Sequence, residues 1–139
     1  MRKIITTVLT VATLALPIVD ASAATKAAKK KIVVSKKFAG SIASVDRWGN
    51  LQVTIVVRKT TTTVNGKKKV TRKLTGLSVP TYPNHTDRSV YINQNALPIL
   101  KSEALQRQSA SINLVSGATD TSYAFAQSLQ AAILKAKHA

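Results

Sequence analysis

Ser116-Gly117-Ala118-Thr119-Asp120-Thr121-Ser122 is a run of small and hydroxyl-bearing residues set between two apolar segments. Upstream, Ile112-Asn113-Leu114-Val115 reads as a short buried strand. Downstream, from Tyr123 to Lys137, the residues Phe125, Leu129, Ala132, Ile133 and Ala136 recur at helical spacing on one face. The stretch therefore predicts a strand that delivers the chain into a tight turn opening a helix. Gly117 has no Cβ, so it tolerates φ > 0 and lets another molecule come close to the backbone. Ala118 adds little bulk, and Thr119, Asp120, Thr121 and Ser122 are all good N-cap types. The first N–H groups of a helix and the positive end of its dipole suit an anion, phosphate above all. The same residues also read, more plainly, as a capped helix after a glycine turn.

Outward from this stretch the chain alternates hairpins with a helix. From Phe38 to Val45 and from Leu51 to Arg58, apolar and polar residues partly alternate, as in strands with one buried face. Asp46-Arg47-Trp48-Gly49-Asn50 has turn chemistry and joins them as a hairpin. The second strand continues through Thr60 to Val64, Asn65-Gly66 is a hairpin turn, and a third strand runs from Lys68 to Val79. Thr60 to Thr63 and the lysines beside the turn predict a solvent-exposed tip. Pro80, Pro83 and Asn84 make a loop that Asp87 ends as N-cap. Arg88 to Gln108 reads as helix, with Ile92, Ala96, Ile99, Leu100, Ala104 and Leu105 on its apolar side. Pro98 predicts a kink there, or two short helices meeting near Asn95. The fold class is α+β: a small antiparallel sheet of three to four strands with two or three helices packed on one face.

Val115 to Ser122, followed by Phe125 and Ser128-Leu129-Gln130, resembles the signature of the FMN-binding domain family. That family includes the flavin-carrying subunits of sodium-pumping NADH:quinone oxidoreductase and many small exported bacterial proteins. Tyr82-Pro83, Arg88-Ser89, Ile92-Asn93, Ala96-Leu97-Pro98 and the segment from Glu103 to Ser111 stand in the order of the small exported members. The resemblance runs from about Phe38 to the C-terminus. It implies FMN as cofactor, esterified through its phosphate to a threonine by a separate flavin transferase that uses FAD. Matched residue by residue, the acceptor is Thr119, with Ser116, Gly117 and Ala118 forming the turn around the phosphate and Thr121 helping to cap the helix. The family pattern commonly carries an acidic residue three positions before the serine. Asn113 stands there, keeping the shape and hydrogen bonding but not the charge. The implied role is that of an electron carrier or accessory flavin module, not an enzyme, between an unidentified membrane donor and an unidentified exported acceptor. The alternative is a cationic cell-envelope-binding protein of the same fold that binds FMN non-covalently or not at all.

The remaining sequence bounds the chemistry. At 139 residues the chain is one domain with a modest core, and two Phe, one Trp and three Tyr make that core aliphatic. With no cysteine, disulfides, thiolate metal sites and lipid-anchoring cysteines are excluded. His85 and His138 are too few and too scattered to suggest a metal site. Arg2-Lys3, the apolar run Ile4 to Val19 and Ala21-Ser22-Ala23 read as a secretory leader, cleaved after Ala23, which places the protein outside the cytoplasm in the envelope or secreted. The division is then leader 1–23, Lys-rich flexible tether 24–37 and FMN-binding domain 38–139. Of the carboxylates beyond the leader, Asp46, Asp87, Glu103 and Asp120, none cluster, so acid–base catalysis has little to work with. Ser116 lacks the surroundings of a hydrolase nucleophile. No catalytic residue and no metal ligand is assigned.

Charge is the remaining signal. The formal net charge is +16, and loss of Arg2, Lys3 and Asp20 with the leader makes it +15. Lys26, Lys29, Lys30, Lys31, Lys36 and Lys37 form one cluster; Arg58, Lys59, Lys67, Lys68, Lys69, Arg72 and Lys73 form a second. No aromatic interleaves them and no nucleic-acid motif appears, so nucleic acid is not the expected partner. Anionic cell-wall polymers or a lipid surface fit better. A basic surface that only keeps the protein soluble fits equally well.

Overall fold

A computed structural model of the chain describes residues 29–139. The leader expected over 1–23 and the tether residues 24–28 lie outside the described residues. In chain order come strands β1 (Lys29–Ala39) and β2 (Ala43–Ser44), a 3-10 turn (Asp46–Trp48), strands β3 (Asn50–Val64) and β4 (Lys67–Thr81), and helices α1 (Asp87–Arg107) and α2 (Thr119–Lys137). The expected α+β class holds: one antiparallel sheet of four strands with two helices.

All three other strands pair with β3. Ala43 pairs with Leu51 and Ser44 with Asn50, across a turn in which Asp46 and Gly49 take φ of 46° and 128°. Asn65 and Gly66, at φ 52° and 80°, join β3 to β4. Two consecutive positive φ values are what a type I′ hairpin needs and what Asn-Gly supplies. Along β3, Leu51, Val53, Ile55 and Val57 are buried, while Gln52, Thr54 and Val56 are half-buried. That period of two turns the four apolar side chains to one face. They share a single apolar cluster with Leu97, Leu100 and Ala104 of α1 and with Phe125, Leu129, Ala132 and Ala136 of α2. Burying each of the larger side chains contributes roughly 1.5–3 kcal/mol.

Helix α2 is seated where the sheet is interrupted. Between β1 and β2, at Gly40-Ser41-Ile42, the buried Ser128 hydroxyl donates to Ser41 O at 2.6 Å and accepts from Val53 N–H at 2.8 Å. Gly40 N–H still reaches Val53 O, at 2.7 Å. The helix comes this close because Gly40 lacks a Cβ, which would collide with the Ser128 carbonyl.

Several elements differ from the sequence reading. β1 begins at Lys29, so Lys29, Lys30, Lys31, Lys36 and Lys37 lie in a strand and not in a flexible tether. Every residue of β1 except Phe38 is exposed. The strand is held by backbone pairing without burying a face, so no hydropathy pattern marks it. Pro80 belongs to β4, and Thr60 to Thr63 are half-buried in β3, not fully exposed. Ile112 to Val115 is a loop, not a strand: Ile112 N–H donates to Ala110 O at 3.0 Å, Asn113 N–H to Glu103 Oε1 at 3.1 Å and Val115 N–H to Ser122 Oγ at 3.0 Å. Local partners thus take the donors a sheet would have used.

Helix α1 is one element of 21 residues with Pro98 inside it, not two short helices. Pro98 is exposed, as is Gln94, whose carbonyl loses the missing N–H, so water can serve that group. Its N-cap is Thr86, which accepts from Ser89 N–H at 3.1 Å; Asp87 sits in the first turn instead. Its buried stripe runs through Ser89, Asn93, Ala96, Leu97, Leu100 and Ala104, while Ile99 is 53% exposed. A polar residue, Asn93, thus holds a core position expected of an apolar one.

The chain divides into two compact units. One comprises Val33–Thr60 with Thr71–Ala139 and holds the apolar cluster and both helices; in the other, residues 29–32 and Thr61–Val70 are described.

Candidate functional site

The loop before α2 closes with a hydrogen bond from Ala118 N–H to Val115 O at 3.0 Å. Gly117, at φ 81°, is the third residue of that turn, the position where a type II turn needs positive φ. Ser122 locks the turn to the helix: its buried hydroxyl donates to Ala118 O at 2.8 Å and accepts from Val115 N–H. Helix α2 starts directly after the turn. It begins at Thr119 and not at Tyr123, so Thr119 to Ser122 form its first turn.

The N-cap position falls to Ala118, which has no side-chain oxygen to offer. Thr121, expected to help cap the helix, is buried and donates to Asn93 Oδ1 at 3.1 Å. Among the described residues nothing accepts from the amides of Thr119, Asp120 and Thr121. The positive end of the α2 dipole is therefore open.

Gly117 to Thr121 line a cleft of about 140 Å³. Its other walls come from Val45 and Trp48 at the β2–β3 turn, Pro83 before α1, and Arg88, Ser89, Ile92 and Asn93 in the first turns of α1. Arg88 brings a positive charge to the lining and Asp120 a negative one. The Arg47 guanidinium stands 5.1 Å over the Trp48 ring, a cation–π contact that steadies the indole.

A buried polar network holds these walls together. Asn93, 2% exposed, donates from Nδ2 to Pro83 O at 2.7 Å and accepts from Thr121 at Oδ1. One amide thus ties the loop before α1, α1 itself and the start of α2. Ser89, also buried, receives a hydrogen bond from Thr86 Oγ1 at 2.8 Å.

These residues fit the demands of FMN. Three open amides at a helix start, with Arg88, suit a phosphate. Trp48, Val45, Pro83 and Ile92 offer an apolar wall for a ring system, and the exposed Thr119 offers a hydroxyl. At about 140 Å³ the cleft is smaller than the ~300–1,000 Å³ of sites that enclose a drug-sized ligand, so only part of a flavin can be held within it.

Of the residues singled out from sequence, Gly117, Ala118, Thr119 and Thr121 line the cleft, whereas Ser116 is exposed and lies outside the lining. Trp48, Arg88 and Asn93 had no assigned role. Their signals were the only Trp of the chain, placed in a turn, and the Arg88-Ser89 and Ile92-Asn93 pairs of the resemblance. Among the described residues no group of His, Cys, Asp or Glu side chains is placed to hold a metal. No protein-family model and no curated protein matches the chain.

Proposed function

We propose that this chain is an exported FMN-binding module that carries electrons, with the flavin joined through its phosphate to Thr119 Oγ1. The observation that carries the reading is the uncapped start of α2, where Thr119, Asp120 and Thr121, whose amides have no acceptor among the described residues, line one cleft with Arg88. The resemblance of the surrounding segment to the FMN-binding domain family supplies the identity of the ligand. The geometry supplies the physical reason a phosphate would settle there.

Thr119 is the alcohol of the ester. A threonine hydroxyl is too weakly acidic to attack unaided, so a separate flavin transferase must activate it, with FAD as the donor. Attachment would join Thr119 Oγ1 to the phosphorus on the FMN side of FAD, with AMP as the leaving group and the hydroxyl proton passing to a base on the transferase. Thr119 is exposed, and beyond its two chain neighbours no atom lies within 4 Å of where a Gly117 Cβ would stand. The open amides and Arg88 take the phosphate charge. Asn93 and Thr121 keep the helix start fixed against the loop before α1. Bound flavin supplies the one- and two-electron chemistry. The small cleft also explains the need for a tether, since a covalent bond retains a ligand that partial enclosure would release.

Co-expression with a flavin transferase, followed by denaturing electrophoresis viewed for flavin fluorescence, tests the reading. The parent chain should fluoresce. Thr119→Val removes the hydroxyl at nearly constant shape and should leave a folded, dark protein. A dark parent band would refute covalent attachment, and a fluorescent Thr119→Val band would place the bond elsewhere.

A further inference from the structure

We propose that the outer ends of β1, β3 and β4 form a binding surface for a flexible linear polyanion, independent of the flavin cleft. In sequence the lysines at 29–31 and 67–69 belong to separate clusters. The fold joins them. β1 and β4 each pair with β3 in an antiparallel sheet, and residues 29–32 fall in one compact unit with Thr61–Val70. The first residues of β1 and of β4 therefore stand at the same end of the sheet, with the last residues of β3 between them.

The composition of this unit is one-sided. Its described residues hold Lys29, Lys30, Lys31, Lys67, Lys68 and Lys69 and no Asp or Glu. All six lysines are exposed, and none takes part in the ion pair present among the described residues, Glu103–Arg107. Among the described residues no carboxylate pairs with them. Thr61, Thr62 and Thr63, half-buried on β3, add hydroxyl donors between the two lysine rows.

Three features select the partner. Consecutive lysines on a strand point to opposite faces, so charge projects from both sides of the sheet. A flat bilayer can meet only one of those faces, whereas a flexible polymer can reach both. Among the described residues the exposed apolar side chains are Ile32, Val64 and Val70 at 48%, 41% and 41%, continued along β1 by Val33 and Val34 at 48% and 44%, but the unit has no Trp or Tyr of the kind that anchors proteins at membrane interfaces. Finally, every cation is Lys and none is Arg. Lysine acts as a mobile point charge, so the surface reads charge density and not the planar geometry that Arg forks recognise. The chemistry is that of a chain of repeated phosphates or similar anions.

Binding of the full chain to linear inorganic polyphosphate, and to phosphatidylglycerol vesicles matched in anionic charge, tests the proposal. Polyphosphate should bind more tightly per charge than vesicles. K29Q/K30Q/K31Q and K67Q/K68Q/K69Q should each weaken polyphosphate binding about tenfold or more at low salt and flatten its salt dependence, because fewer counterions are released. K101Q/K137Q, outside this unit, should change it far less. Because all six side chains are exposed, circular dichroism and urea midpoints should show each triple variant folded. Equal losses in the control variant, or vesicle binding as tight as polyphosphate binding, would overturn the assignment.

Discussion

At Asn93 a side-chain amide stands where helical spacing calls for an apolar residue, and both of its polar atoms are engaged. Asn93→Ala strands the Pro83 carbonyl and the Thr121 hydroxyl in a buried place, and should cost about 1–3 kcal/mol by urea unfolding. Thr121→Ala should be coupled to it: a double-mutant cycle should give an interaction energy on the order of 0.5–3 kcal/mol. If Thr121 acted instead as a helix cap, the two losses would simply add. Gly117 poses a different constraint. Its φ of 81° disfavours a side chain even though a Cβ there meets no atom within 4 Å beyond its two chain neighbours. Gly117→Ala should therefore cost about 1–2 kcal/mol through backbone conformation alone. Under the proposed flavinylation, Asn113 bears on recognition by the transferase. Its N–H already donates to Glu103 Oε1, so a carboxylate lies beside the position where the family pattern places one. Asn113→Asp should raise the yield of fluorescent protein in the transferase assay if the acidic side chain itself is read, and leave it unchanged if the neighbouring Glu103 serves.

Among the elements, the seat of α2 on the sheet is the most tightly built. Ser128→Ala leaves Val53 N–H and Ser41 O without their partner and should cost about 1–3 kcal/mol. Gly40→Ala forces a methyl into the Ser128 carbonyl and should destabilise by at least a comparable amount, since the obstacle is backbone and cannot swing aside. A urea midpoint for Gly40→Ala equal to that of the parent would contradict this seating. Elements with one buried face were legible in the sequence: Leu51 to Val57 alternate, and Phe125, Leu129, Ala132 and Ala136 recur at helical spacing. β1 was not legible, because it buries almost nothing and is fixed by pairing to β3. Ile112 to Val115 misled for the opposite reason: the run is apolar, but its donors are taken by Glu103, Ala110 and Ser122. The cleft was half legible. Gly117 to Thr121 stood out as a motif, whereas Trp48 and Arg88 arrive from elements distant in sequence, and no local pattern announces their meeting.

Across the whole molecule, charge should give salt two effects of opposite sign. The chain carries 21 Lys and Arg against 5 Asp and Glu, and a single ion pair, Glu103–Arg107 at 2.8 Å, occurs among the described residues. Mutual repulsion among so many unpaired cations opposes the compact state. At about 0.01 M salt the screening length is roughly 30 Å, and most of those cations feel one another; at about 0.1 M it is roughly 10 Å. Raising NaCl over that range should therefore raise the urea midpoint. The same change should weaken polyphosphate binding, because there the charges attract. The two measurements separate a surface that is merely basic from one arranged to bind. K67Q/K68Q/K69Q removes three neighbouring cations, so it should raise the low-salt midpoint while weakening the polyanion. A midpoint that fell with NaCl would show that attraction, not repulsion, dominates the folded state, and would mean that favourable pairings outweigh the excess of lysine.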